Sequence, residues 1–204
     1  MVANPSTAPG FRLAIRSLQS VGLSDAAFLA LCQANRDLRF ERTAEGDVVV
    51  MSPTGSETGR RSLSIAAQLY AWAQRDGDGI AFDSSTGFAL PNGAVRSPDA
   101  AWVLRERYTT PSGPERSGFA PVCPNFVVEL RSPTDARGPL EAKLAEYMAN
   151  GARLGWLIDP ETRQVSVFRP GREIEILGAP GRITGDPELR GLVVELGEVW
   201  ETPG

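Results

Sequence analysis

Short apolar runs alternate along this chain with polar, Gly- and Pro-rich breaks, and their period switches between that of a strand and that of a helix. Ser24-Asp25 in front of Ala26-Ala-Phe-Leu-Ala-Leu-Cys-Gln33 predicts a short capped helix. Asp37 to Arg42 and Asp47 to Met51 flank Glu45-Gly46 and read as a hairpin. Ser52-Pro53-Thr54-Gly55-Ser56-Glu57 breaks that hairpin and opens the longest helix, from Glu57 to Gln74, which Gly77-Asp78-Gly79 ends. Strands at Ile80–Asp83 and Gly87–Leu90 lead through the turn Pro91-Asn92-Gly93 to a strand around Asp99. Residues 104–122 form a polar, Pro/Gly-rich loop before the strand that carries Glu129. The next helix, Leu140 to Asn150, has Pro139 at its first turn and Gly151 just past its end, both favoured positions. Leu154 to Ile158 and Gln164 to Phe168 make a second hairpin, Ile174 to Leu177 adds a strand, and Leu192 to Leu196 with Glu198 to Trp200 ends in a strand and a turn. There is no internal repeat and no linker. The order is mixed α/β, with a flexible arm over residues 1–20 and one domain over 21–204.

Composition narrows the chemistry. The chain of 204 residues is 42% hydrophobic and 23% charged, an ordinary globular balance with room for one good core. Its longest apolar stretches are far too short to span a bilayer, and no signal peptide is visible, so the cytoplasm is the default expectation. Cys32 and Cys123 are too few for a zinc cluster or a disulfide scaffold and read as core residues. The absence of histidine removes Ser-His-Asp and Cys-His hydrolases, HExxH proteases and the histidine-metal nucleases together. Acid–base work is left to Asp, Glu, Lys, Tyr or a metal-bound water. A net charge of −4 counts mildly against tight nonspecific nucleic-acid binding. Arginine heavily outnumbers lysine; Arg60, Arg61, Arg105, Arg107, Arg131 and Arg137 make either a local basic rim or a scatter of solvated charges.

Two acids interrupt strand-forming runs: Asp99 in Arg96-Ser-Pro-Asp99 and Glu129 in Phe126-Val-Val-Glu129-Leu-Arg131-Ser-Pro133. A carboxylate on a buried strand is costly unless something pairs with it. Converging acids offer oxygen ligands of the kind that suit Mg²⁺ or Mn²⁺, ions that assist phosphodiester cleavage. Taken singly, each is equally read as an edge residue facing water. At about 100° per residue, Leu140, Leu144, Tyr147 and Met148 share a helix face, and Lys143 falls at its flank, where its ammonium can reach the sheet. The plainer reading pairs Lys143 with Glu146 on the same helix. Glu57 fits a capping box, Thr54-Gly-Ser-Glu57, and reaches the acids only if its helix end overhangs the sheet. Ser132-Pro133-Thr134-Asp135 reads as turn chemistry.

Several runs together resemble one family. Thr86-Gly-Phe-Ala-Leu-Pro-Asn-Gly93, Arg96-Ser-Pro-Asp-Ala-Ala-Trp-Val103, Pro124-Asn-Phe-Val-Val-Glu-Leu-Arg-Ser-Pro133, Lys143-Leu-Ala-Glu-Tyr147 and Asn150-Gly-Ala-Arg-Leu-Gly-Trp-Leu-Ile-Asp-Pro160 look like the Uma-two (Uma2) family, over residues 20–200. Its members are mostly described as putative restriction endonucleases of the PD-(D/E)XK superfamily. The resemblance implies a restriction-endonuclease-like mixed β-sheet flanked by helices, here with additional N-terminal and C-terminal β-hairpins. It implies a Mg²⁺-dependent (or Mn²⁺-dependent) endonuclease acting on DNA. In that reading Asp99, Glu129 and the Leu130 carbonyl hold the metal, with Glu57 as a further acid. Lys143 stabilises charge or positions water, Tyr147 braces it, and Arg131, Arg60 and Arg61 contact nucleic acid. The family pattern expects lysine where Arg131 stands, and arginine cannot serve as a base; the lysine is then supplied from the following helix, as Lys143. Homodimers are expected by analogy. The alternative is a weakly active or inactive nucleic-acid-binding or protein-interaction module of the same fold.

Overall fold

Alternating residues of the central strands carry two different cores, and this is what places the acids. The computed structural model describes the backbone of residues 13–15 and all atoms of residues 23–51, 53–108 and 118–201. Within the expected arm, β1 (Leu13–Ile15) pairs with β3 (Val48–Met51); the rest of that arm lies outside the described residues. The hairpin of β2 (Arg39–Arg42) and β3 joins β6 (Val95–Arg96) and β5 (Phe88–Ala89) in a five-stranded sheet of order β1-β3-β2-β6-β5. Helix α1 (Asp25–Ala34), capped by the Ser24 side chain as expected, closes this sheet through Phe28, which packs with Phe40, Val48 and Val95.

The larger sheet has six strands in the order β11-β10-β9-β8-β7-β4: β4 (Gly79–Asp83), β7 (Ala100–Leu104), β8 (Phe126–Leu130), β9 (Leu154–Asp159), β10 (Gln164–Phe168) and β11 (Glu175–Gly178). In this sheet, among the described residues, only β8 and β9 run parallel, and parallel neighbours need a crossover. That crossover is α3 (Arg137–Ala149), which starts three residues before the expected Leu140 and keeps Pro139 inside its first turn. The remaining pairings are antiparallel, and a C-terminal hairpin of β12 (Arg182–Thr184) and β13 (Val193–Glu195) lies apart as its own sheet. The chain ends in the short α4 (Gly197–Trp200).

Successive strand residues point to opposite faces. Phe126, Val128 and Leu130 of β8 join Trp156 and Ile158 of β9 in a core shared with Ile65, Leu69 and Trp72 of α2 (Ser56–Asp76). Val127 and Leu157 turn the other way, into a core with Leu140, Leu144 and Tyr147 of α3. By the same parity Glu129 faces α3. That helix approaches closely because β9 has Gly155 beneath it: a Cβ there would lie 2.5 Å from Leu144 Cδ1. Gly155→Ala is therefore expected to cost about 1–3 kcal/mol by overpacking, seen as a lower urea midpoint at unchanged m-value.

Candidate active site

The two sheets meet where the chain passes from β6 to β7. Ser97, Pro98 and Asp99 make that crossing, and Asp99 is fastened to the adjacent strand twice. Its N–H donates to the Val128 carbonyl at 3.0 Å, and its Oδ2 accepts the Leu130 N–H at 2.7 Å. A cleft of about 560 Å³ opens at this junction. Asp99, Glu129, Leu130 and Lys143 line it, with Glu57, Arg39 and the turn Ser132–Asp135 around them. The two acids the sequence singled out thus converge.

Lys143 joins them. Its Nζ lies 2.8 Å from Glu129 Oε1 and 2.7 Å from Glu41 Oε1, and it donates to the Ser97 carbonyl at 3.2 Å. All three ionisable side chains are buried: Glu41 is 1%, Glu129 4% and Lys143 6% exposed. The plainer pairing of Lys143 with Glu146 is not made; Glu146 Oε2 takes the Arg96 Nε–H at 2.6 Å instead. Glu41 was not foreseen, because Arg39-Phe-Glu-Arg42 reads as an ordinary charged strand. A further signal lay unread in the composition. Lys143 is the only lysine of the chain, all other basic residues being arginine. A compact ammonium with three N–H groups matches three converging oxygens in a way a planar guanidinium cannot.

The acids differ in charge state for physical reasons. Burial pushes the Glu129 carboxyl up to about 8; Lys143 opposes this, while the charges of Asp99 and Glu41 reinforce it. Burial also raises Asp99, against the Leu130 N–H bond. Burial would raise Glu41 too, but Lys143 and Arg96 outweigh it and hold Glu41 below its ordinary value. Lys143 stays firmly charged, since Glu129 and Glu41 together outweigh its burial.

Would a divalent cation fit here? Among the described residues no three His, Cys, Asp or Glu side chains converge into a cage, so Glu57 lines the cleft without closing a triad. Mg²⁺ does not need one: it is commonly held by one or two carboxylates, with waters and substrate phosphates completing the shell. Glu129 Oε1 is fully buried and, although Lys143 stands near it, no aligned hydrogen bond reaches it. An acid pair of this kind, hard in its oxygens and disfavoured in its charge, fits such an ion.

Other expected site residues fall elsewhere. The expected capping box is absent: α2 begins at Ser56 with Gly55 as N-cap and no side-chain cap. Glu57 then stands at the second helical position, one short of the place a box requires. Its helix end overhangs the cleft instead, and Glu57 Oε2 pairs with Arg60 at 3.3 Å. Arg60 also donates to the Glu201 carbonyl at 2.7 Å, and neither Arg60 nor Arg61 lines the cleft. Arg131 turns away to clasp the β9–β10 turn, pairing with Asp159 at 3.0 Å and Glu161 at 2.8 Å. Tyr147 does not brace the lysine by a hydrogen bond. It is fully buried, its hydroxyl has no hydrogen-bond partner among the described residues, and burial holds its pKa well above the ordinary value. Ser132-Pro133-Thr134-Asp135 is turn chemistry as read, with Asp135 Oδ2 accepting from Ser132 Oγ at 2.6 Å.

A mixed sheet flanked by helices, with an acid pair and a lysine where the strands β7 and β8 meet α3, defines the restriction-endonuclease-like class. The chain belongs to the Uma2 family, described as "Putative restriction endonuclease", which matches residues 25–197. Its fold is similar to the crystal structure of a putative nuclease belonging to DUF820 from Anabaena variabilis ATCC 29413, with a TM-score of 0.65 and 17% identity, covering 79% of this chain and 89% of that one. No curated protein matches the chain. Among the described residues no helix is long and apolar enough to cross a membrane.

Proposed function

We propose that this protein is a Mg²⁺- or Mn²⁺-dependent endonuclease that hydrolyses phosphodiester bonds of DNA. The observation that carries the reading is the buried Asp99–Glu129 pair at the cleft with the only lysine of the chain held against it. Asp99 and Glu129 would hold the ion, with the Leu130 carbonyl as a further oxygen at the same strand end. A divalent ion bound there supplies Lewis-acid polarisation of the phosphate and lowers the pKa of an attacking water. Lys143 contributes a fixed positive charge towards the negative charge that builds on the phosphate. Its direction is set before substrate arrives, because three oxygens hold it. Tyr147 takes no proton at neutral pH. Incubating supercoiled plasmid with the protein and Mg²⁺ or Mn²⁺, against the same mixture with chelator, tests the reading; absence of ion-dependent nicking across both ions removes it.

Substrate phosphates need positive charge at the cleft, and the cations named by the sequence are committed elsewhere. Arg39 takes that role in our reading. It is exposed, lines the cleft, and forms no ion pair among the described residues. The first turn of α2 opens onto the same cleft with no side-chain cap, leaving N–H groups for an anion. Arg39→Gln is expected to weaken duplex binding several-fold and to lower the slope of log affinity against log salt by about 1, the signature of one lost phosphate contact. Fluorescence anisotropy on a labelled duplex at several salt concentrations measures it. Cutting both strands of a duplex takes two such clefts, so a homodimer is part of the proposal. The competing reading, a non-cleaving binding module, is favoured by Arg131, which stands at the usual lysine position and is tied to Asp159 and Glu161.

A further inference from the structure

Lys143 is held by oxygens from three parts of the fold: Glu41 on β2 of the smaller sheet, Glu129 on β8 of the larger one, and the Ser97 carbonyl on the crossing between them. Glu41 is itself anchored. Its Oε1 also accepts the Ser97 N–H at 2.9 Å, and its Oε2 stands 3.3 Å from Arg96 Nη1. Arg96 is fixed in turn by Glu146 of α3 at 2.6 Å. A chain of ion pairs, Glu146–Arg96–Glu41–Lys143–Glu129, half-buried at its Glu146–Arg96 end and buried from Glu41 to Glu129, therefore links both sheets through α3. Glu41 does not line the cleft, so it is placed to touch neither substrate nor an ion.

We propose that Glu41 is a positioning residue for the reaction: with the Ser97 carbonyl it keeps the Lys143 ammonium at the cleft when Glu129 turns its charge to a divalent cation. The inference rests on the nuclease reading above. Without Glu41, the one acid left in an ion pair with the lysine among the described residues is the carboxylate that the ion also needs, and the two cations compete for it. The N-terminal hairpin is then part of the active site rather than an ornament on a nuclease core.

Because the chain has one lysine, protein labelled with ¹⁵N-lysine gives one side-chain ammonium signal, assigned without ambiguity. In the wild type this signal is expected to exchange slowly with water and to persist when Mg²⁺ is added. In Glu41→Gln the exchange is expected to accelerate roughly tenfold or more, as befits loss of a charged partner, and the signal to vanish on adding Mg²⁺. Turnover supplies a second arm: Glu41→Gln should lower kcat by about 10–100-fold with KM for duplex DNA within about threefold, and should add no further loss in a Lys143→Met background. A merely structural ion pair would give additive losses. Unchanged exchange in Glu41→Gln, or additivity with Lys143→Met, overturns the proposal. Should Glu41→Gln not fold, Glu41→Asp, which keeps the charge and shortens the reach, is read the same way. If the wild type cleaves no DNA, the nuclease reading falls and the catalytic role of the anchor with it, while the exchange arm still decides whether the anchor exists.

Discussion

Glu129→Gln will abolish ion-dependent cleavage while leaving the fold intact. At neutral pH the ion-free Glu129 carboxyl, pushed up to about 8, is mostly protonated, and glutamine is the neutral isostere of that form. The substitution therefore introduces no new buried charge and leaves Lys143 with Glu41 and the Ser97 carbonyl. Its melting temperature without ion should match or exceed the wild type's. In the proposed mechanism the substitution removes a negative ligand of the ion, and with it stabilisation of the charge that builds on the phosphate, so kcat should fall on the order of 10³-fold or more. Thermal shift gives an independent readout. Mg²⁺ should raise the melting temperature of the wild type by mass action and not that of the variant. A variant that nicks plasmid within about tenfold of wild type would sink the assignment of Glu129 as a metal ligand.

Metal affinity will depend steeply on pH, and the sign follows from the direction of the shift. The Glu129 carboxyl is raised from the ordinary 4.5 to about 8 in the folded protein. Between those values the ion-free folded chain keeps a proton that the unfolded chain has released. The stability due to this proton is present at low pH and declines as pH rises through that window, by up to about 1.4 kcal/mol per pH unit. Asp99, also raised by burial, acts in the same direction. A cation that takes Glu129 must displace the same proton. Its apparent affinity should climb about tenfold per pH unit towards pH 8 and then level off, with close to one proton released per ion bound below that point. Calorimetry in two buffers of different ionisation enthalpy counts the protons. An affinity flat between about pH 6 and 8 would show that Glu129 is ionised without metal and that its surroundings are less desolvating than the structure indicates.

Much of the site was legible because strand parity and helix periodicity are local. The runs around Asp99 and Glu129 read as neighbouring strands, and β7 and β8 do pair antiparallel, with Ala100 opposite Val128. The helical count sets Lys143 at the flank of the Leu140–Leu144–Tyr147 face, and all four side chains are buried on α3. A flank position on α3 lies over the line where the two sheets meet, so the side chain turns inward without leaving its helix face. The same count puts Tyr147 on the apolar face, where the structure buries it as a core residue whose hydroxyl makes no hydrogen bond among the described residues.

The charges were less legible. Arg131 sits one residue beyond β8, and nothing near it in sequence announces Asp159 and Glu161, which a hairpin turn brings to it. Glu57 looked like a capping residue because the motif is local, yet an extended Gly55 moved the helix start by one residue and left the helix end projecting over the cleft. Glu41 was the largest omission. Its strand, Arg39-Phe-Glu-Arg42, has the pattern of one facing water, and only groups from distant parts of the chain, Lys143 of α3 with Arg96 and Ser97, meet its carboxylate.

Local pattern sets most of the succession of elements, though not β1 or β12, together with the parity that turns Glu129 to the α3 side of the sheet and the chemistry available once histidine is excluded. These depend on neighbours a few residues apart, through backbone sterics and the periods of strand and helix. Only the tertiary structure decided which charges are buried, which cations they meet, and that the smaller sheet reaches into the site through Glu41. Desolvation and ion pairing depend on what packs against a side chain from distant parts of the chain, and no local pattern carries that information.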